Sequence, residues 1–389
     1  MNIAIIRQRY NPYGGAERFV SRAVTALGRE GIEVTVFARD WSDDAVEGGA
    51  VEDGTTELVR CNPFYAGRTW RDWSFGRAVC AALSVSVRKF DLVQSHERIA
   101  CCDVYRAGDG VHAQWLANRA RVLGLPGRIG LALNPYHFYL LAAERRLFAS
   151  ARLKAVICNS RMVRDDIRRH FGMAEDKLHL VYNGVDLELF NPSLKSARIA
   201  LRSRLGIAPD AMVYLFVGSG FERKGLPQLI RAMPSAGQAH LIVVGADKRQ
   251  RVMQQLCAQL GVSQRVHFAG AQPDVKPWYG TADCFVLPTL YDPFPNAALE
   301  AMASGLPVIT TTQCGAAEFI QNGISGTVCE AGDDAGLSAA LSGIGSVDRA
   351  AAMGKAARVA VSGLGIEAMA VQLAALYRSL LAIEEQHAA

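Results

Sequence analysis

Two acids stand eight positions apart in the stretch YDPFPNAALEAMASG: Asp292 ahead of a proline-rich turn and Glu300 inside an Ala-rich helical run. Pro295 suits the first turn of that helix, so the backbone N–H groups of Asn296 and Ala297 should point out of its start. Such donors, together with the helix dipole, form an anion site. A carboxylate cannot share the same anion favourably, so Glu300 needs a hydroxylated partner, and a ribose diol is the natural candidate. Asp292 is then placed to accept hydroxyls from whatever lies beyond the anion. Carboxylate, anion site, carboxylate is the layout expected for a sugar–diphosphate–ribose ligand.

The charge to answer a diphosphate is also in the sequence. Arg223 and Lys224, in GSGFERKG, follow a strand, and they offer a planar fork and a compact ammonium for phosphate oxygens. A basic pair before a helix is also an ordinary solvated surface, so this signal is weak by itself. GSGFERKG is not a dinucleotide fingerprint, because a third glycine would have to stand at 223, where the residue is Arg. NPYGGAERF lacks the fingerprint too, and neither a Walker sequence nor an Asp-x-Asp pair occurs. A diphosphate must therefore be neutralised by Lys, Arg and helix ends, with no metal and no cofactor expected.

The elements that position these residues read as alternating strands and helices. In the first half, strands are expected at 3–6, 33–38, 92–94, 103–107, 156–158 and 180–182, with helices at 20–27, 139–150 and 161–170. In the second half, strands are expected at 213–217, 241–244, 266–268, 284–287 and 308–311. Short apolar strands separated by helices indicate parallel sheets buried on both faces. The expected fold class is α/β, with two Rossmann-like doubly wound domains facing one another across a cleft. The expected division is 1–195 and 196–365. The last helix, from about Ile366, is expected to pack back on the first domain or across both.

Composition bounds the function. A chain of 389 residues suits two domains. The N-terminal MNIAIIRQRY has no signal-peptide layout, and no uninterrupted apolar run reaches about 18 residues, so no membrane span is expected. Nine cysteines, an odd number without metal-type spacing, suggest reduced thiols in a cytoplasmic protein rather than a disulfide framework. The net charge of +5 is unevenly placed: Arg98 to Arg169 hold 13 Lys+Arg against 5 Asp+Glu. Besides a solvated helix surface, that stretch suits an anionic lipid face or an anionic acceptor. No nucleic-acid partner is expected.

With these residues in view, YDPFPNAALEAMASGLPVIT resembles the acid-x7-acid signature of the retaining GT-B glycosyltransferases of family four. FVGSGFERKG, NGVD and NPYGGAERF match three further landmarks in order, and the likeness extends to DVYRAGDGVHAQW and VHFAGAQPDVKPWY. Within the family, the chain is similar to the bacterial lipopolysaccharide core α-glucosyltransferases. The resemblance implies that Gly14 and Gly15 let the first loop approach the donor and that Arg223 and Lys224 stabilise the leaving diphosphate. It also implies that Glu300 binds ribose, that Asp292 binds the donor sugar and that Asn296 and Ala297 meet the phosphates. Gly270, Ala271 and Gln272 would face the base. Asp109, in RAGDG, would stand near the reacting carbon. Glu17, His96 and His112 are further candidates for a sugar or acceptor contact.

The implied reaction is metal-independent hexosyl transfer with retention, from a UDP-sugar to a lipid-linked or phosphorylated saccharide at the inner face of the cytoplasmic membrane. Other donors (GlcNAc, GalNAc, mannose) and a GT-B-like epimerase or phosphorylase are alternatives. Two departures stand out. The first acid of the signature is Asp rather than Glu, and Phe19 occupies a position where a related sequence has an acid.

Overall fold

The computed structural model describes residues 1–10, 24–41 and 56–388. The chain divides into two compact units: Met1–Gly184 with Ile366–Ala389, and Val185–Gly365.

In the first unit the strands are β1 (Asn2–Ile6), β2 (Arg9–Tyr10), β3 (Glu33–Ala38), β4 (Asp40–Trp41), β5 (Thr56–Arg60), β6 (Leu92–Ser95), β7 (Val104–Arg106), β8 (Ala155–Cys158) and β9 (Leu178–Leu180). Seven of them form one sheet in the order β5-β3-β1-β6-β7-β8-β9, and β2 and β4 form a separate pair. Every pairing in the large sheet is parallel. The central strands are short and apolar because both of their faces are covered: Ile3, Ile5, Val34 and Ile157 belong to one buried cluster, and Ala4, Ile6, Val93 and Val156 to another.

In the second unit β10 (Val213–Val217), β11 (His240–Val244), β12 (Val266–Gly270), β13 (Cys284–Leu287), β14 (Val308–Thr311) and β15 (Gly326–Cys329) form a parallel sheet in the order β12-β11-β10-β13-β14-β15. This is the doubly wound order in which the chain starts at the centre and reverses direction once. The reversal lies between β10 and β13 here, and between β1 and β6 in the first unit. Both units are Rossmann-like.

Several expected bounds shift. The helix expected at 139–150 runs Pro135–Phe148, because Asn134 caps it by accepting from the Tyr136 N–H. The strand expected at 180–182 is Leu178–Leu180, and Val181 still extends the ladder by donating to the Cys158 carbonyl. Of the helix expected at 20–27, residues 24–29 are helical and the rest lies outside the described residues. The chain leaves the first unit at Gly184, ahead of the expected boundary, because Val185 already bridges Gly365 and donates to the Leu364 carbonyl.

The long helix Ile366–Ala388 contains one stretch, Ile366–Ile383, that is long and apolar enough to cross a bilayer. Its Met369, Ala370, Leu373, Ala374 and Tyr377 are buried in the cluster that holds Ile3 and Val34, so it serves as a core helix of the first unit. The Tyr377 hydroxyl ties it down further by donating to Gln94 Oε1 at 2.6 Å.

The expectation of reduced thiols fails at one pair. Cys80, on the helix Gly67–Val85, is disulfide-bonded to Cys101, in the segment between β6 and β7. The other seven cysteines are free and buried. An odd total concealed the pair, because the buried thiols act as small apolar core residues.

Candidate active site

In the second unit, the segments leaving β10 and β13 emerge side by side at the reversal of strand order, the place where open parallel sheets take ligands. They are bonded together. Leu290 N–H and the Thr289 hydroxyl both donate to the Arg223 carbonyl, at 2.9 and 3.0 Å. Gly225, at φ 80°, allows this approach: a Cβ there would sit 1.9 Å from the Pro288 carbonyl oxygen.

This contact brings Arg223, Lys224 and Asp292 together across a sequence gap of nearly 70 residues. Lys224 Nζ donates to Asp292 Oδ2 at 2.9 Å, and Arg223 donates to the same oxygen at 3.2 Å and to the Tyr291 carbonyl at 3.2 Å. Asp292 is buried, and burial alone would raise its pKa. The Lys224 ammonium and the Arg223 guanidinium outweigh that cost and hold the carboxyl below its ordinary value. The Asp292 backbone is fixed as well, its N–H donating to the Gln313 carbonyl and its own carbonyl accepting from Gly315.

Asn296, Ala297 and Glu300 follow on the helix Asn296–Ala303. Pro295 is its cap rather than its first helical residue, and among the described residues no side chain caps the start. Glu300 Oε2 accepts the Tyr279 hydroxyl at 2.8 Å. Tyr279 is fully buried, and sequence reasoning missed it; the KPWY run was the available signal. Gly270 closes β12, with Ala271 exposed beyond it. Gln272 turns back to donate to the Ala269 carbonyl at 2.6 Å.

The other candidates lie in the first unit. Asp109 is exposed, with Arg98 at 3.9 Å. His96 is buried against Gln94, at 3.1 Å, and its pKa is well below the ordinary value because of burial and then the charges of Arg7 and Arg106. His112 opens the helix His112–Val122, its N–H donating to Glu144 Oε1 at 2.7 Å and its ring lying 3.1 Å from His137. Burial, Arg98 and His137 lower its pKa to about 3. Both histidines make side-chain contacts within the first unit, His96 with Gln94 and His112 with His137. Gly14, Gly15, Glu17 and Phe19 lie outside the described residues.

The Glycosyltransferase Family 4 model matches residues 13–189, and the Glycosyl transferases group 1 model matches residues 197–359. The chain belongs to the group 1/family 4 glycosyltransferases. Lipopolysaccharide glucosyltransferase WaaG of Escherichia coli strain K12 is 26% identical over 334 residues, covering 84% of this chain and 85% of WaaG. A crystal structure of WaaG superposes with a TM-score of 0.81 at 24% identity, covering 96% of this chain and 99% of that one. The glycosyltransferase MJ1607 of Methanocaldococcus jannaschii is 35% identical over 177 residues, a match spanning 44% of this chain and 45% of that protein. Anabaena HepE, crystallised in complex with UDP-glucose, shares the fold at 21% identity with a TM-score of 0.73, covering 97% of this chain and all of HepE. The GT-B fold and the glycosyltransferase family are thus established for this chain.

Proposed function

We propose that this glycosyltransferase transfers a hexosyl group, glucose, from UDP-glucose to a lipid-linked saccharide of the lipopolysaccharide inner-core type, with retention and without a metal ion. The observation that carries this reading is the Arg223–Lys224–Asp292 cluster at the strand reversal of the second unit. Its two cations are positioned to meet a departing diphosphate, and Glu300, oriented by Tyr279, suits the ribose diol. The C1–O bond to the diphosphate breaks, the acceptor oxygen bonds to C1 from the same face, and the acceptor proton passes to the leaving phosphate oxygen. Asp292, with Oδ2 already accepting from both cations, orients them and offers its remaining acceptor capacity to the sugar. Glucose as the sugar is supported by the likeness to WaaG, a lipopolysaccharide glucosyltransferase, and UDP-glucose as donor by the likeness to HepE, crystallised with it.

A surface of the first unit supports peripheral membrane binding. The helix Leu125–Ala132 buries none of its residues. Leu125, Ile129, Leu133 and Phe138 are exposed there, with Arg119, Arg121 and Arg128 nearby in the chain. Exposed apolar side chains among arginines suit an anionic bilayer surface. Vesicles containing anionic lipid should bind the protein, and Ile129→Asp with Leu133→Asp should abolish that binding.

The deciding experiment is thermal stability in EDTA with UDP, ADP, GDP and NAD. A ligand at 100 times its Kd adds about 2.7 kcal/mol to stability. A shift with UDP alone, followed by an NMR spectrum showing an α-linked product from UDP-glucose, supports the proposal. A shift confined to ADP or GDP overturns the donor. A β-linked product overturns retention.

A further inference from the structure

The chain enters the second unit at Val185, whose N–H donates to the Leu364 carbonyl at 2.8 Å, so the entry and exit of that unit are pinned to each other. Residues 185–197 then run along the unit as a strap that ends in the 3₁₀ helix Pro192–Ala197. Two glycines show how closely the neighbouring elements pack. A Cβ on Gly280, beside Tyr279, would sit 1.9 Å from the Leu194 carbonyl oxygen of the strap. One on Gly354 would sit 1.9 Å from the Gly305 carbonyl oxygen, in the turn that follows the helix Asn296–Ala303. At both points backbone touches backbone, which only a residue without a side chain permits.

Arg358 lies one helical turn beyond Gly354, on the helix Val347–Ala360, and gathers three carbonyls. Its Nη1 donates to the Phe190 and Ala303 carbonyls, each at 2.8 Å, and its Nη2 to the Leu187 carbonyl at 3.0 Å. Leu187 and Phe190 belong to the strap, whereas Ala303 is the last residue of the helix that carries Glu300. A helix leaves its final carbonyls without intrahelical donors and its C-terminal end partly negative, so a guanidinium there both satisfies and attracts. The Glu300, Ala301 and Met302 carbonyls take the Ser304, Leu306 and Gly305 N–H groups, and the Ala303 carbonyl takes Arg358. The strap reaches Glu300 by a second path as well. The Phe190 ring packs edge-on against Tyr279 with 5.6 Å between centroids, and the Tyr279 hydroxyl donates to Glu300 Oε2.

We propose that Arg358 is a positioning residue of the donor site: by fastening the C-terminal end of the helix Asn296–Ala303 to the strap, it fixes where Glu300 meets the ribose diol. The proposal rests on the reading of Glu300 given above and deepens it. The two contacts hold different parts, Arg358 the backbone of the helix and Tyr279 the carboxylate itself. One carboxylate that accepts two neighbouring hydroxyls at once tolerates little displacement of its helix, so the loss of Arg358 falls on the ribose contact.

The test is calorimetric binding of UDP and of 2′,3′-dideoxy-UDP, which lacks both ribose hydroxyls, to the full chain. Wild type should prefer UDP about ten-fold or more, because a site built for hydroxyls rejects an analogue without them, and Glu300→Ala should abolish that preference. Arg358→Ala should lower the preference about five-fold or more by weakening UDP alone, whereas a general loosening of the unit would weaken both nucleotides alike. Arg358→Lys, which keeps a cation for the Ala303 carbonyl, should recover part of the preference. Gly354→Ala ordinarily favours a helix, yet here its methyl must push the helix off the Gly305 turn, and the preference should fall again. An undiminished preference in Arg358→Ala, or equal weakening of both nucleotides, overturns the role of Arg358 and leaves the ribose reading standing. Where Arg358→Ala does not fold, wild-type preference in both Arg358→Lys and Gly354→Ala overturns it. A wild type indifferent to the missing hydroxyls, or a preference that survives Glu300→Ala, overturns the ribose reading and this proposal with it.

Discussion

Gly218 and Lys224 share one space. A Cβ built on Gly218, whose φ is 147°, would lie 2.6 Å from Lys224 Cδ and 2.8 Å from its Cε. The methylenes of Lys224 therefore run across a bare backbone to bring its ammonium to Asp292. Gly218→Ala must displace that chain and also force an alanine into a backbone region it rarely adopts, at a cost of about 1–3 kcal/mol. Turnover of UDP-glucose should fall in Gly218→Ala even where the fold survives, as read from kcat and a melting curve. A variant with unchanged kcat would show that Lys224 acts from some other position.

Lys224→Ala removes the ammonium itself. A preorganised group facing charge that develops on a leaving diphosphate contributes typically about 2.7–4 kcal/mol, so kcat should drop roughly 100- to 1000-fold. Circular dichroism and melting should stay near wild type. Near-normal turnover would remove Lys224 from the chemistry.

Asp292 makes acid stability a readout of the same cluster. Its folded pKa is held below the ordinary 3.8 by Lys224 and Arg223, which outweigh its burial. The stability it contributes is thus fully present above pH 3.8 and is lost as pH falls through the lower folded value. Wild type and Asp292→Asn should differ in Tm near neutrality and converge in that acid window. A difference that does not change with pH would mean that the carboxylate's charge contributes nothing to the cluster.

His112 acts in a higher window. Its folded pKa of about 3, set by burial and then by Arg98 and His137, lies below the ordinary 6.5. Between those values the unfolded chain holds a proton that the folded chain does not, so stability declines as pH falls from 6.5 toward 3. One such group gives a slope of up to about 1.4 kcal/mol per pH unit. Urea unfolding across this range should show a shallower acid slope in His112→Asn. An unchanged slope would mean that His112 is protonated in the folded state.

The Cys80–Cys101 bond closes a loop with a sequence separation of 21, for which chain-entropy reasoning gives about 3 kcal/mol. Peptide mapping under non-reducing conditions should recover the linked pair, and Cys80→Ser should lower stability by about that much. A map showing both thiols alkylated in the native protein would count against the bond.

Much of the fold could be read from the sequence, because strands covered on both faces are unbroken apolar runs, as in VYLFV of β10 and HLIVV of β11. Two of the strands that went unread, besides the short pair β2 and β4, have a different pattern. β5, TELVR, is an edge strand that mixes charged and apolar residues, and β15, GTVC, begins with glycine. At the site, spacing singled out Asp292, Glu300, Arg223 and Lys224, but no local pattern could reveal that one oxygen of Asp292 holds both cations. That contact depends on two segments that meet only after the sheet is assembled. Tyr279 escaped for the same reason, since its hydroxyl reaches Glu300 from a different helix.

The return of the helix Ile366–Ala388 to the first unit has a consequence for synthesis. The second unit is continuous in the chain, so it can fold as soon as it emerges from the ribosome. The first unit, although translated earlier, keeps Ile3, Val34 and Val36 without the cover of Met369, Leu373 and Tyr377 until the final stretch appears. At 5–20 residues per second, that wait is roughly ten to forty seconds, during which the nascent sheet presents a bare apolar face to chaperones. The half of the protein that is made first is the half that is finished last.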